Sequence, residues 1–185
     1  MLGLSACGGL QTAAGTQPPP RRDSLHDFSL AGRFSLRHEG QSYIGQIQWR
    51  HDDNSDELLL SSPLGQGLAE IVSNAGGARL TDKDGSVHEA ASADELLQSV
   101  VGYPLPLDKL TDWLRGRQAA GDQLTVDALG RPLRVQHRGW RIAYEYDDDD
   151  PQALPGRVFV ELDSVLELHL RIDDWAPLTP AAPSQ

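Results

Sequence analysis

Alternation with a period of two is the feature that narrows the folds open to this chain of 185 residues. Phe28, Leu30, Gly32, Phe34 and Leu36 take every second place, and Tyr43, Gly45, Ile47 and Trp49 repeat the pattern after Glu39-Gly40. Successive side chains of a strand point to opposite faces, so this reads as a hairpin with one buried face. Strand-like runs follow at Glu57 to Ser61, Gly67 to Val72, Ala78 to Thr81 and Val87 to Ala90, parted by Asn74-Ala75-Gly76-Gly77 and Asp82-Lys83-Asp84-Gly85. Short strands between Gly- and Asp-rich turns predict an antiparallel meander.

The centre of the chain breaks that rhythm. Ser92-Ala93-Asp94-Glu95 is a capping box, and Leu96, Leu97, Val100 and Val101 then fall on one helical face before Gly102. A second helix is expected from Leu107 to Arg115, with Leu107, Leu110, Trp113 and Leu114 as its apolar stripe and Gly116 as its stop. Two helices in an otherwise strand-rich chain are expected to lie across the sheet. After Gly121 three to five further strands are expected, among them Pro132 to Arg138, Trp140 to Tyr146, Arg157 to Leu162 and Val165 to Asp173.

One turn stands apart. The run Leu58-Leu59-Leu60-Ser61-Ser62-Pro63-Leu64-Gly65-Gln66-Gly67-Leu68 reads as a hairpin whose tip carries a leucine, pinned by Pro63 and Gly65. A loop in water gains nothing from an apolar side chain, so Leu64 is either folded back onto the sheet or offered outward. Pattern alone favours the former.

Composition excludes several classes. A net charge of -11, with 16 Lys and Arg against 27 Asp and Glu, argues against binding nucleic acid or anionic lipid through a broad basic face. No stretch approaches the roughly 18 apolar residues of a spanning helix. The histidines His26, His38, His51, His88, His137 and His169 are dispersed, without metal-ligand spacing. Gly-x-Ser-x-Gly and the phosphate-cradling Gly-x-x-x-x-Gly-Lys are absent, and plentiful carboxylates are not by themselves a catalytic pair. Neither an enzyme nor a metal or cofactor site is expected. The acidic run Asp147-Asp148-Asp149-Asp150 lacks the alternating ligands and turn glycine of a calcium loop and is expected to be a solvated tip.

The motifs occur in an order that resembles the outer-membrane lipoprotein receptor family LolB. The segments that carry the resemblance are Ser62-Pro63-Leu64-Gly65 after a leucine-rich strand, and Gly102-Tyr103-Pro104-Leu105-Pro106-Leu107 continuing through Leu110, Trp113, Leu114 and Gly116. Gly139-Trp140-Arg141-Ile142-Ala143-Tyr144 with Leu154-Pro155, and Leu168-His169-Leu170-Arg171-Ile172-Asp173-Asp174-Trp175, complete the set. The tryptophans Trp49, Trp113, Trp140 and Trp175 all fall in matching segments, and the resemblance covers about Phe28 to Trp175. It departs from the family at Arg21 to Asp27, which is short and weakly periodic where the family commonly has a helical stretch.

The resemblance implies a mainly β fold with a helical lid (α+β): an unclosed antiparallel β-barrel of about eleven strands around an apolar cavity for acyl chains. A packed core is what composition alone would choose. It also implies a receptor that accepts acylated lipoproteins from the periplasmic carrier LolA and inserts them into the outer membrane, with Leu64, flanked by Pro63 and Gly65, acting at the membrane. Trp49, Trp113 and Tyr144 are expected to line the cavity, and the receptor is expected to be a monomer facing the periplasm. Cys7 follows Leu4-Ser5-Ala6, which resembles a bacterial lipobox, and Gly8 in place of aspartate is compatible with the outer membrane. Only six residues precede Cys7, fewer than an ordinary signal, so a stray thiol is the competing reading. The expected organisation is a lipobox and tether over 1–22, one domain over 23–175 and a proline-containing tail over 176–185. Two other readings remain open: an envelope lipoprotein of the same fold with another apolar or lipid ligand, and a scaffold that needs neither Leu64 nor a hollow interior.

Overall fold

A computed structural model describes residues 19–101, 105–118, 120–163 and 165–178, leaving aside the side chains of 100, 101 and 108. Cys7, most of the expected tether, Gly102-Tyr103-Pro104 and the tail from 179 lie outside the described residues.

Period-two alternation produces a run of hairpins: β1 (Phe28–His38), β2 (Gln41–Asp52), β3 (Ser55–Ser61), β4 (Gly67–Asn74), β5 (Gly77–Asp82) and β6 (Val87–Ala90). Two helices follow, α1 (Ala93–Val101) and α2 (Leu107–Leu114), and then β7 (Gln123–Val126), β8 (Pro132–His137), β9 (Trp140–Glu145), β10 (Arg157–Leu162) and β11 (Leu166–Pro177). Among the described residues all pairings are antiparallel. The eleven strands form one sheet in the order β6-β5-β4-β3-β2-β1-β11-β10-β9-β8-β7, so β1 pairs with β11 at the middle and β6 and β7 remain as edges. The sheet is therefore unclosed.

Tight turns make this meander possible. At Asp52, Asp82 and Asp127 a carboxylate oxygen accepts two backbone N–H groups of its own turn, at 2.8 to 2.9 Å. These hydrogen bonds favour the ionised form, and the pKa of Asp52 and of Asp82 is lowered chiefly by them. Part of the chain's acidity thus builds turns.

The inward face is aliphatic and aromatic. Phe28 and Leu30 of β1, Ile47 and Trp49 of β2, Leu58 of β3, Ile71 of β4 and Leu80 of β5 share one core with Ile142 and Tyr144 of β9, Val158 and Val160 of β10 and Leu166, Leu168, Leu170 and Ile172 of β11. One apolar face common to both halves of the sheet requires it to curl around that face. The helices cover what the curl leaves open. Leu96 and Leu97 of α1 and Leu107, Leu110, Trp113 and Leu114 of α2 are buried in the same core.

The helix signals hold in part. Ser92 Oγ accepts the Glu95 N–H at 3.2 Å, as the capping box predicts. Helix α2 stops at Leu114, one residue short of the expected end, and Gly116 turns the chain at φ +66°. Pro106 precedes α2 and supplies no side-chain cap; Asp94 of α1 accepts the Leu107 N–H instead, at 3.0 Å. The lid is one unit because a helix-one carboxylate caps helix two.

Segment 21–27 is held non-locally. Arg115, buried at the end of α2, donates to the His26 carbonyl at 2.6 Å and to the Leu25 carbonyl at 3.3 Å, and Arg117 reaches the Leu25 carbonyl at 2.7 Å. The Arg115 guanidinium also lies 5.3 Å from the Phe28 ring centroid. Burial lowers its pKa from the ordinary arginine value, opposed by Asp112 at 3.0 Å.

Candidate functional site

The tip between β3 and β4 is built by its own backbone. The Ser62 carbonyl accepts the Gly65 N–H at 2.8 Å, which places Pro63 and Leu64 at the centre of a four-residue turn. Gly65 follows at φ +83°, a conformation that glycine adopts without a Cβ penalty. Ser62 N–H to the Gln66 carbonyl at 2.7 Å and Gln66 N–H to Ser62 Oγ at 3.2 Å close the hairpin. Pro63 fixes the entering φ and lacks an N–H that would need a partner here.

Of the two placements open to Leu64, the structure adopts the outward one: the residue is 98% exposed. Folding it back would recover roughly 1.5 to 3 kcal/mol of apolar burial. The local geometry gives that up. A bulge between Leu60 and Ser61 shifts the register of β3 on β4 just before the turn. The Gln46 side chain donates to the Pro63 carbonyl at 3.1 Å and ties the tip to β2. Gly45 makes room, because a Cβ there would overlap the Ser61 carbonyl oxygen and come within 2.9 Å of Phe34 Cε1.

Two further apolar residues lie beside this tip, and alternation did not single them out for a site. Residues Gln41 to Gly45 of β2 run past the last β3 partner, since Gln46 pairs with Ser61, and here Ile44 is 62% and Tyr43 51% exposed. Tyr43 also donates its hydroxyl to Gln41 Oε1.

The interior candidates are separated. Trp49 is fully buried against Phe28, with ring centroids 6.2 Å apart, and its indole N–H donates to Asp56 Oδ1 at 2.8 Å. The same carboxylate oxygen lies 2.8 Å from His51 Nδ1. Trp113 projects from the lid onto Trp140, 5.7 Å between centroids, and lies 6.1 Å from the His137 ring. His137 Nδ1 is 2.6 Å from Asp122 Oδ1. Tyr144 faces the core from β9, and burial raises its phenol well above the ordinary tyrosine pKa. Trp113 and Tyr144 share a property that Trp49 lacks: the indole Nε1 and the phenol oxygen are buried without a hydrogen-bond partner among the described residues. Buried polar atoms are normally paired, so each of the two marks a place in the interior where its own hydrogen bonding is unsaturated.

The acidic run forms the rim of a surface groove of about 600 Å³, whose lining includes Leu154, Pro155 and Trp175 together with Asp147, Asp148 and Asp150. Asp147 pairs with Arg171 at 2.8 Å, and that hydrogen bond holds its pKa below the ordinary carboxylate value. Arg131 donates to the Asp148 carbonyl at 2.6 Å and stacks 4.2 Å from the Tyr146 ring centroid; burial pushes the Tyr146 phenol up to about 12. Among the described residues, no group of three or more His, Cys, Asp or Glu side chains is placed to hold a metal ion.

Comparison with known proteins follows the same outline. The sequence model of the family described as "Outer membrane lipoprotein LolB" matches residues 26–175. A protein of Dechloromonas aromatica (strain RCB) described as outer-membrane lipoprotein LolB is 42% identical over 159 residues, covering 83% of this chain and 84% of its own length. One of the same description from Azoarcus sp. (strain BH72) is 34% identical over 183 residues, covering 95% and 94%. Among solved structures, a LolA superfamily protein from Nitrosomonas europaea aligns with a TM-score of 0.52 at 11% identity, covering 85% of this chain and 89% of that one, which is a likeness of fold.

Proposed function

The chain belongs to the LolB family of outer-membrane lipoproteins, and we propose that it takes acylated lipoproteins from a LolA-type periplasmic carrier and passes them into the bilayer through Leu64. It is a lipoprotein-trafficking receptor of the outer membrane and not an enzyme. The alternative, an envelope lipoprotein with another apolar ligand, is not favoured by relatives that share the receptor family's description.

Leu64 carries the reading of the membrane step. An apolar side chain held 98% exposed on a turn with three closing hydrogen bonds is positioned to enter an apolar phase outside the protein. Entry would return roughly 1.5 to 3 kcal/mol, too little to anchor the domain and enough to bias its approach. Anchoring is assigned to an acylated Cys7, with the domain facing the periplasm as a monomer.

Energetics explain why a receptor is needed. Each methylene of an acyl chain costs about 0.8 kcal/mol in water, so a chain of about 16 carbons costs on the order of 12 kcal/mol to expose. Cargo must therefore pass from one cover to a better one. The curled sheet offers an aliphatic face lidded by α1 and α2, and Trp113 and Tyr144 are the candidates of the three whose buried polar atoms lack a hydrogen-bond partner among the described residues. Trp49, satisfied by Asp56, supports the wall. Transfer then runs downhill without nucleotide, from carrier to receptor to bilayer.

The test is movement of a radiolabelled acylated lipoprotein from purified carrier to this protein without membrane, followed by addition of vesicles. Stoichiometric transfer is expected, weakened by high salt if a basic carrier surface meets this domain of net charge -11. Leu64→Glu should accept cargo normally and fail to insert it. Retention of cargo on a competent carrier would refute the receptor step, and loss of acceptance in Leu64→Glu would refute the membrane role of the leucine.

A further inference from the structure

We infer that the first residues of β2 form a second lipid-contacting element, Ile44 with Tyr43, so that the domain meets a bilayer through a ledge and not through Leu64 alone. The inference rests on the reading of Leu64 as a membrane tip. What it adds is an independent observation: large apolar side chains left in water on the strand against which that tip is tied.

Strand geometry places Ile44 on the outer face. Gly45, Ile47 and Trp49 are buried and alternate with exposed Gln46 and Gln48, so Ile44 shares the side of Gln46. Gln46 is the residue whose side chain holds the Pro63 carbonyl, and it pairs with Ser61 at the end of β3. One step further along that face, Ile44 lies beside the tip, with no β3 residue opposite it. It is 62% exposed where its neighbours on the same face, Gln46 and Gln48, are polar. A solvated face gains nothing from an isoleucine at that place.

Tyr43 points to the other side of β2, at the rim, where the strand has only β1 as partner. Its ring is half exposed and its hydroxyl is directed to Gln41. An apolar body with a polar tip suits the boundary between headgroups and acyl chains. Leu64, Ile44 and Tyr43 are left exposed at the same end of β2 and the β3–β4 turn, on both faces of that rim. A fluid lipid phase can close around apolar side chains on both faces of a rim, whereas a folded partner would need a pocket matched to each. Net charge of -11 leaves apolar contact, not attraction to anionic headgroups, as the source of binding.

The experiment uses the full chain carrying Cys7→Ser, so that no acyl anchor contributes, and phosphatidylcholine vesicles. An environment-sensitive fluorophore is attached through Leu64→Cys, Ile44→Cys or Leu59→Cys. Leu59 is the control, because it is exposed on the outer face of β3 but pairs with Gln48, further from the tip. Expected are a blue shift and quenching by nitroxide-labelled lipid at positions 64 and 44, and neither at 59. Unlabelled Ile44→Asp should lower vesicle partition about tenfold and Tyr43→Ala about threefold, with unchanged thermal unfolding, since both side chains are already exposed.

A fluorophore that enters lipid at 64 but stays in water at 44 would overturn the ledge and leave the tip. Entry at 44 without entry at 64 would overturn the membrane tip on which the inference rests, and with it a ledge shared by the two. Aqueous signals at all three positions would overturn both.

Discussion

Gly45 lies on another strand from Leu64, yet it lets β3 approach β2 closely just before the tip. The Ser61 carbonyl and the Phe34 ring edge occupy the space a Cβ would need. Backbone cannot yield as a flexible side chain can, so Gly45→Ala should push β3 and its turn away from β2 and break the Gln46–Pro63 hydrogen bond. The cost expected is about 1 to 3 kcal/mol, the usual range for overpacking. Urea unfolding measures it, and a fluorophore attached through Leu64→Cys reports whether the tip has moved. An unchanged midpoint with an unchanged signal would mean that the turn holds itself and needs no support from β2. Leu64 itself also shows where local signals stop. Pro63 and Gly65 announce a tight turn, but both placements of the leucine satisfy that turn, and the choice is made by a bulge, a glycine and a glutamine side chain from neighbouring strands.

The lid and the segment 21–27 form the element that decides whether the interior is covered. Arg115 supplies hydrogen bonds to two carbonyls of that segment while remaining buried, and hydrogen bonds to a charged group are worth about 1.5 to 3 kcal/mol. Arg115→Met keeps the apolar stem but strands the His26 carbonyl, and should destabilise by about 2 to 3 kcal/mol. The outer-face pair Arg33–Asp173 has the better geometry, 2.8 and 3.1 Å, yet both side chains are about half exposed. Arg33→Met should cost clearly less than Arg115→Met, because an ion pair in water contributes little. Thermal melts of the two variants side by side make the comparison, and equal losses would mean that Arg115 is not the clamp. Elements were legible in proportion to how local their causes are. Strands β1 and β2 follow from alternation, β3 to β6 from strand-like runs between Gly and Asp turns, β8 to β11 from the runs expected after Gly121, and α1 from its serine cap. Strand β7 escaped individual notice because Gln123 to Val126 is a short edge strand exposed at every position, so no buried face shapes its sequence. The capping of α2 by Asp94 and the clamp from Arg115 onto Leu25 and His26 escaped it because their partners are 13 and about 90 residues away.

On the scale of the whole molecule, the first described residues and the Leu64 tip lie toward opposite ends of β1. Phe28 pairs with Pro177, and residues 19–21 line the groove beside Trp175, so the described chain begins near the Phe28 end of β1. The Leu64 tip begins beyond Ser61, which pairs with Gln46 and through it with Arg33, and it continues toward the His38 end. About seven strand steps of about 3.3 Å separate the two levels, on the order of 25 Å. The stretch 8–18 reaches at most about 40 Å when fully extended. With Cys7 as the proposed anchor, the tip and the anchor can share one bilayer only if that stretch spans the height of the domain. Removing residues 12–17 cuts the reach to about 18 Å, below the separation. The anchored protein so shortened should still accept cargo from the carrier, because acceptance needs no bilayer, and should insert it at least tenfold more slowly. Six Gly and Ser residues put back in the gap should restore the rate, since length and not sequence is what the geometry demands. Undiminished insertion by the shortened form would sink this arrangement, and would mean that the domain works lying on its side or delivers cargo to a bilayer other than the one that holds its anchor.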